Sequence, residues 1–270
     1  MHTMKFLERI LLGGGMHLVR YFFFAGGAYL LFYVIFRQSW WTKKIQAAFP
    51  GSAQIKREIA YSLLSILMFV AVFTGVTLMT YAGYTRVYLD FGAHSVGYFI
   101  FSVLLMIVWH DTYFYWTHRL LHLKRFARFH RLHHRSHNTT PWTSFAFHPV
   151  EAFIQAAFVP VILVSVPLHP AAVAIVITWQ MVFNVTGHLG YEIFPVWFHR
   201  SRVGRLFNTS THHNMHHRYA GANYGLYFNL WDRVMRTNHP GYEQTYLESA
   251  EKMYGKSGEP AAEPVTSTAS

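Results

Sequence analysis

The chain has 270 residues, of which 52% are hydrophobic, 18% aromatic and only 13% charged. A soluble domain carries about 25% charged residues and a disordered chain lacks apolar ones, so the composition argues against both. With no cysteine there are no disulfides, thiolate metal sites, iron–sulfur clusters or Cys nucleophile. The net charge of +11 comes from 23 Lys and Arg against 12 Asp and Glu. These bases cluster beside apolar segments, so anionic lipid and the positive-inside rule account for them. Nucleic acid is not expected as a partner.

In chain order, residues 1–20 mix apolar side chains with Lys5, Glu8, Arg9 and Arg20. They lack the ordered regions of a signal peptide. An amphipathic helix lying on the membrane surface is expected here. Uncharged runs follow at 21–36, 59–84 and 93–109. Each approaches or exceeds the ~20 residues that span a bilayer. The third helix is expected to continue past Asp111 to His122. Two further runs, 152–168 and 171–185, flank Pro167-Leu168-His169-Pro170 and read as a tight helical hairpin.

Lys and Arg gather after the first run, after the third and after the hairpin, whereas the loop after the second holds only Arg86 and Asp90. Basic segments therefore fall on one side each time, the cytoplasmic side. The expected fold is an all-α integral membrane protein. Four or five membrane-embedded helices carry a cytoplasmic helical cap. The expected divisions are an N-terminal membrane helix and basic loop (1–57), a central histidine-rich unit (58–240) and a C-terminal segment (241–270). The last, from Ser257 on, has the composition of a disordered tail.

The 19 histidines carry the chemical signal. His118 and His122 are spaced i, i+4. His130, His133 and His134, and again His213, His216 and His217, are spaced i, i+3, i+4. On a helix each set shares a side, and three such sides can converge. Structural zinc is satisfied by four ligands, so a larger set points to two metals with open positions. Scattered residues such as His2, His94, His169 and His239 read as ordinary surface or loop histidines. The sequence has no His-Glu-x-x-His motif, and no Glu lies three residues before a His, so zincin proteases and carboxylate di-iron bundles are not matched.

At this point the chain resembles a known family. His110-Asp111 with Tyr115-Trp116-Thr117-His118-Arg119 and His122 is similar to the first histidine box of the fatty acid hydroxylase and sterol desaturase superfamily. His130-x-x-His133-His134 is similar to the second, and Thr211-His212-His213-Asn214-Met215-His216-His217 to the third. Phe147-His148-Pro149 with Glu151 and Phe153 resembles the His-Pro segment of the sterol C5-desaturase branch.

The resemblance implies an O2-dependent membrane oxidase with two iron ions that acts on a lipid C–H bond. The ligands it implies are His118, His122, His130, His133, His134, His188, His213, His216 and His217. His212 is a possible extra ligand. Asp111, Glu192 and Asp232 are candidates for supporting the metal-bound imidazoles, which usually donate their other N–H to a carboxylate or carbonyl. Zinc, which binds such ligands more tightly than iron(II), can replace iron in overexpressed protein.

The chain holds no cluster, haem domain or dinucleotide loop. Electrons must therefore come from a cytochrome, ferredoxin or flavoprotein, and the basic face suits an acidic carrier. Whether the lipid is hydroxylated or desaturated depends on substrate placement, which no residue type fixes. The alternative is a non-redox, histidine-rich membrane protein that binds or transports metal. It would spread ionisable residues along a membrane pathway, whereas here the boxes lie past the ends of the apolar runs on one side.

Overall fold

The computed structural model describes residues 2–255; the tail expected from Ser257 lies outside them. Among the described residues the chain is helical, with three isolated β-bridges and no sheet. Four helical segments are long and apolar enough to cross a membrane: Leu11–Ile35, Ser52–Tyr81, Val96–Leu121 and Pro170–Gly187.

The first of these departs from the sequence reading. Helix α1 (His2–Tyr21) does not end at Arg20 but runs on through wide, π-type turns to Ile35. No separate surface helix forms, and the reason is local. A Cβ on Gly13 would stand 2.7 Å from the Phe73 ring, and one on Gly14 3.3 Å from Val70. The glycines let α1 press directly against α2 (Ser52–Tyr81), the close approach that small residues give membrane helices. In the π-type part the inward residues recur every fourth position. Tyr21, Ala25 and Tyr33 are buried, and Tyr29 stacks on Tyr33. Wide turns are a recognised feature of functional helix regions. Here they align the aromatic stripe with the segment that follows the second histidine box. Tyr21 donates to the Trp142 carbonyl at 3.1 Å, and Tyr33 to the carbonyls of Thr139 and Leu189 at 3.1 and 3.0 Å.

Helix α3 (Val96–Leu121) starts at the Ser95 cap and carries the first box at its end. The short α4 (Ala127–His134) carries the second. The expected hairpin is built from α5 (Pro149–Ala156), α6 (Phe158–Ser165) and α7 (Pro170–Gly187). His148 and His169 cap its two limbs, each followed by a proline whose missing N–H costs nothing in the first turn. The limb formed by α5 and α6 is 17 residues long with a break at Ala157, about 25 Å at 1.5 Å per residue. Helix α8 (Ser210–Tyr219) carries the third box, and α9 (Tyr242–Tyr254) packs on it.

Two ends emerge. At one, the loop after α1 meets the box segments: Gln46 donates to Asn214 Oδ1 and the His137 carbonyl, and the Ile45 amide to Gly190. At the other, Arg86 and Tyr88 donate to Leu163 and Leu168, and Tyr98 to Pro167. All histidine boxes lie at the first end. Outward residues of the long helices, such as Leu67, Ile100, Phe101, Leu104 and Val108, are more than half exposed. That apolar band suits lipid.

Candidate metal centre

Each box is short, helical and locally fixed. The Thr209 hydroxyl accepts from the His212 amide and starts α8. Ala220, with φ 59°, ends it in the left-handed region. The chain then turns back so that the Ala222 carbonyl lies under His216.

The nine histidines fall into two groups. His118, His122, His130, His134 and His216 form one, and His133, His188, His213 and His217 the other; within each group the donor atoms lie within 4.8 Å of one another. Helical spacing explains the division. His130 and His134 are one turn apart and share a face, while His133 between them turns to the neighbouring group. On α8 the pair is His213 and His217, and His216 crosses over. Helices α4 and α8 thus each serve both groups.

The ring nitrogens face one another. In the five-histidine group the Nε2–Nε2 separations are 3.1 Å for His118 with His130, 3.2 Å for His122 with His216, 3.0 Å for His134 with His130 and 3.1 Å for His216 with His134. In the other group His188 Nε2 stands 3.3, 3.1 and 3.0 Å from His133, His217 and His213.

These contacts are not a hydrogen-bond network. The Nδ1–H of His118 donates to the Tyr224 carbonyl at 2.8 Å, that of His216 to Ala222 at 2.7 Å and that of His188 to Asn184 at 2.7 Å. His130 Nδ1 donates to Glu151 Oε1 at 2.6 Å. A neutral imidazole has one N–H, so each of these Nε2 atoms presents a lone pair. Lone pairs gathered in a dry interior repel unless a cation lies between them. A metal bound about 2.1 Å from each nitrogen sets neighbouring donors about 3.0–3.4 Å apart, which matches the observed spacing. The donor set therefore fits two metal ions.

Protonation does not compete. Burial, then neighbouring imidazoles, hold His130, His133, His134, His213, His216 and His217 well below the ordinary histidine range. Burial lowers His122 and His188 to about 4. All are in the neutral form that binds metal.

The other candidates lie nearby but make different contacts. Asp111 Oδ1 accepts from the Tyr227 and Phe228 amides. Glu192 accepts from the Phe194 and Thr211 amides and so anchors the start of α8. Asp232 accepts from the Tyr224 and Gly225 amides and the Thr237 hydroxyl. It holds the loop whose Tyr224 carbonyl supports His118. Burial would raise the Asp232 carboxyl, but His212, Thr237 and the Gly225 amide outweigh it and hold it below the usual range. None of the three carboxylates bonds one of the nine imidazoles; they act through backbone. His212 lies outside both groups, with Nε2 3.3 Å from Asn238 Oδ1 and 3.4 Å from Asp232 Oδ2.

The carboxylate that does bond one of the nine imidazoles is Glu151, fully buried at the start of α5. The sequence reading placed it in the His-Pro segment without a role. Its position three residues past His148 in the first turn of a helix was the available signal.

A cavity of about 10 Å³, room for about one water, touches both groups through His118, His130, His133, His188 and His213. Phe114, Phe147, Glu151, Gln155 and Asn184 complete its lining.

The fatty acid hydroxylase family model matches residues 103–237, half of the chain and all nine histidines. The chain belongs to that family. Among similar proteins, lathosterol oxidase from Homo sapiens is 29% identical over 184 residues, 67% of this chain and 60% of that protein. The lathosterol oxidase of Mus musculus is 32% identical over 185 residues, with the same coverage. A Delta(7)-sterol 5(6)-desaturase from Gibberella zeae is 28% identical over 180 residues, 66% of this chain and 54% of that protein. The chain thus spans about 60% or less of the length of these relatives. No solved structure matches it significantly.

Proposed function

We propose that this protein is an O2-dependent di-iron oxidase that desaturates or hydroxylates a lipid C–H bond, with a Δ7-sterol-like lipid as the nearest substrate class. The observation that carries this reading is the pair of buried imidazole groups with facing Nε2 lone pairs. The names of the similar proteins, lathosterol oxidase and Delta(7)-sterol 5(6)-desaturase, support the substrate class. Two bound irons would supply O2 activation and hydrogen removal from an unactivated carbon.

The chain's residues do the rest. The nine histidines hold the metals. Glu151 and the carbonyls of Tyr224, Ala222 and Asn184 fix ring tautomers and orientation. Phe114 and Phe147, which line the cavity, exclude water and guide an apolar carbon toward both groups. The cavity is too small for a lipid, so substrate entry must part α3, α5 and α7.

The catalytic unit of this reading is 58–240, preceded by a membrane helix and basic loop (1–57) and followed by a C-terminal segment (241–270). Because Lys and Arg concentrate at the box end, that end faces the cytoplasm. Electrons arrive there from an external cytochrome, ferredoxin or flavoprotein. Placement of all nine histidines at one end, rather than along a path across the membrane, favours this reading over metal transport.

The test is lipid extraction from cells with and without the gene, analysed by mass spectrometry. A lipid that gains one oxygen reports hydroxylation, and one that loses two hydrogens reports desaturation. No lipid change under aerobic, iron-replete growth would contradict the proposal.

A further inference from the structure

Four aromatic side chains lead from the five-histidine group to the protein surface. The Tyr224 ring lies against His122, His216 and His118, with centroids 5.1, 5.6 and 5.8 Å away. Tyr115, fully buried, meets Tyr224 at 6.2 Å. Trp116 and Trp231 follow, at 5.5 and 5.9 Å from Tyr115 and 5.5 Å from each other. Trp116 is 44% exposed. Packing alone explains a run of aromatics, but it does not explain the hydrogen bonds of Tyr115. Its hydroxyl bonds Thr237 Oγ1 at 2.9 Å, and Thr237 donates to Asp232 Oδ1 at 2.7 Å. A buried phenol therefore has a two-step proton path to a carboxylate.

We propose that Trp116, Trp231, Tyr115 and Tyr224 form a redox-active relay between the five-histidine group and the surface, with Tyr115 as its proton-coupled station. The step balances within the chain. A one-electron-oxidised Trp116 takes an electron from Tyr115. The phenol proton passes to Thr237 as the Thr237 proton passes to Asp232. Indole, tyrosyl radical and protonated carboxyl result. The relay gives an oxidising equivalent that strays to Tyr224 a route outward, where an external one-electron reductant quenches it before the ligand histidines are damaged. This role rests on the oxidase reading, but the relay itself operates without lipid or iron.

The chain lacks cysteine, so one photo-oxidant can be placed uniquely. Leu120→Cys lies one turn past Trp116 on the same helix face and takes a ruthenium polypyridyl label. The experiment is flash photolysis with a sacrificial electron acceptor, on labelled zinc-loaded protein, read by transient absorption and electron paramagnetic resonance. The labelled protein should yield a tyrosyl radical. Adding Tyr115→Phe should leave a tryptophanyl radical in its place.

Adding Thr237→Val keeps the phenol and removes its proton acceptor. Without that acceptor the tyrosyl yield should fall roughly tenfold, the effect of about 1.4 kcal/mol on the barrier. Zinc content per chain checks that each variant is folded. An absence of tyrosyl radical in the labelled protein, or a yield unchanged by both substitutions, overturns the relay. Failure of the lipid test leaves this radical measurement standing, so the two proposals fail separately.

Discussion

At the scale of single residues, the separation is between side chains that face the lone-pair cluster and side chains that hold them in place. His133 contributes Nε2 to the four-histidine group, and its Nδ1 has no protein partner. Replacing it with Ala removes a donor that nothing nearby replaces. Glu151→Gln leaves all nine donors and changes the acceptor of His130 from carboxylate to amide. Substitutions of that kind cost about 10–100-fold in metal affinity or activity. Asp111→Asn keeps an Oδ1 acceptor for the Tyr227 and Phe228 amides, so its effect should be smaller still. The expected order of damage, as product formed per folded protein, is His133→Ala, then Glu151→Gln, then Asp111→Asn. An Asp111→Asn defect larger than that of Glu151→Gln would show that the supporting carboxylate has been misassigned.

Eight of the nine histidines were legible in the sequence because they stand in helically spaced sets, whereas His188 stands alone and was implied only by the family resemblance. Glu151 was not legible, since it lies 21 residues from His130 and only the fold joins them. The carbonyls of Tyr224, Ala222 and Asn184 leave no side-chain signature at all. Asp111, Glu192 and Asp232 were read as partners of imidazoles because they sit near the boxes. They are buried and close, but their oxygens are taken by backbone amides, as the strong need to satisfy buried N–H groups requires.

At the scale of elements, the division into five and four follows from how α3, α4, α7 and α8 meet, which box spacing does not specify. Helices α7 and α8 meet closely at Gly187. A Cβ on Gly187 would stand 3.2 Å from Cβ, Cγ and Cδ2 of His213. Gly187→Ala should therefore push that ring out of the four-histidine group while leaving the five-histidine group intact. Metal analysis of the purified variant should find about one metal per chain lost relative to the parent, consistent with overpacking of a rigid contact. Retention of the full metal content would mean that α7 and α8 can separate without cost. The first helix teaches a related lesson. Charged residues before residue 21 read as a surface helix, but the Gly13-Gly14 contact with α2 makes it part of a continuous rod. A packing face of glycines has no hydropathy signal.

At the scale of the whole molecule, the apolar runs already outlined the long helices, and the structure adds which loops share an end. Thr42 and Arg218 are exposed at the box end, and Arg86 at the other. Single cysteines at these three positions are unambiguous in a cysteine-free chain. An impermeant thiol reagent applied to sealed vesicles of known orientation should label Thr42→Cys and Arg218→Cys from one side and Arg86→Cys from the opposite side. Labelling of Thr42→Cys and Arg218→Cys from different sides would contradict the arrangement.

The central claim is that the two imidazole groups are a pair of iron sites, and metal content tests it most directly. Protein purified from iron-replete cells, or reconstituted anaerobically with iron(II), should contain close to two metal ions per chain by elemental analysis. The iron form should give the spectroscopic signature of two high-spin iron(II) ions. Zinc in place of iron in overexpressed protein leaves the count unchanged. A content well below one metal per chain that iron(II) reconstitution does not raise would contradict the account.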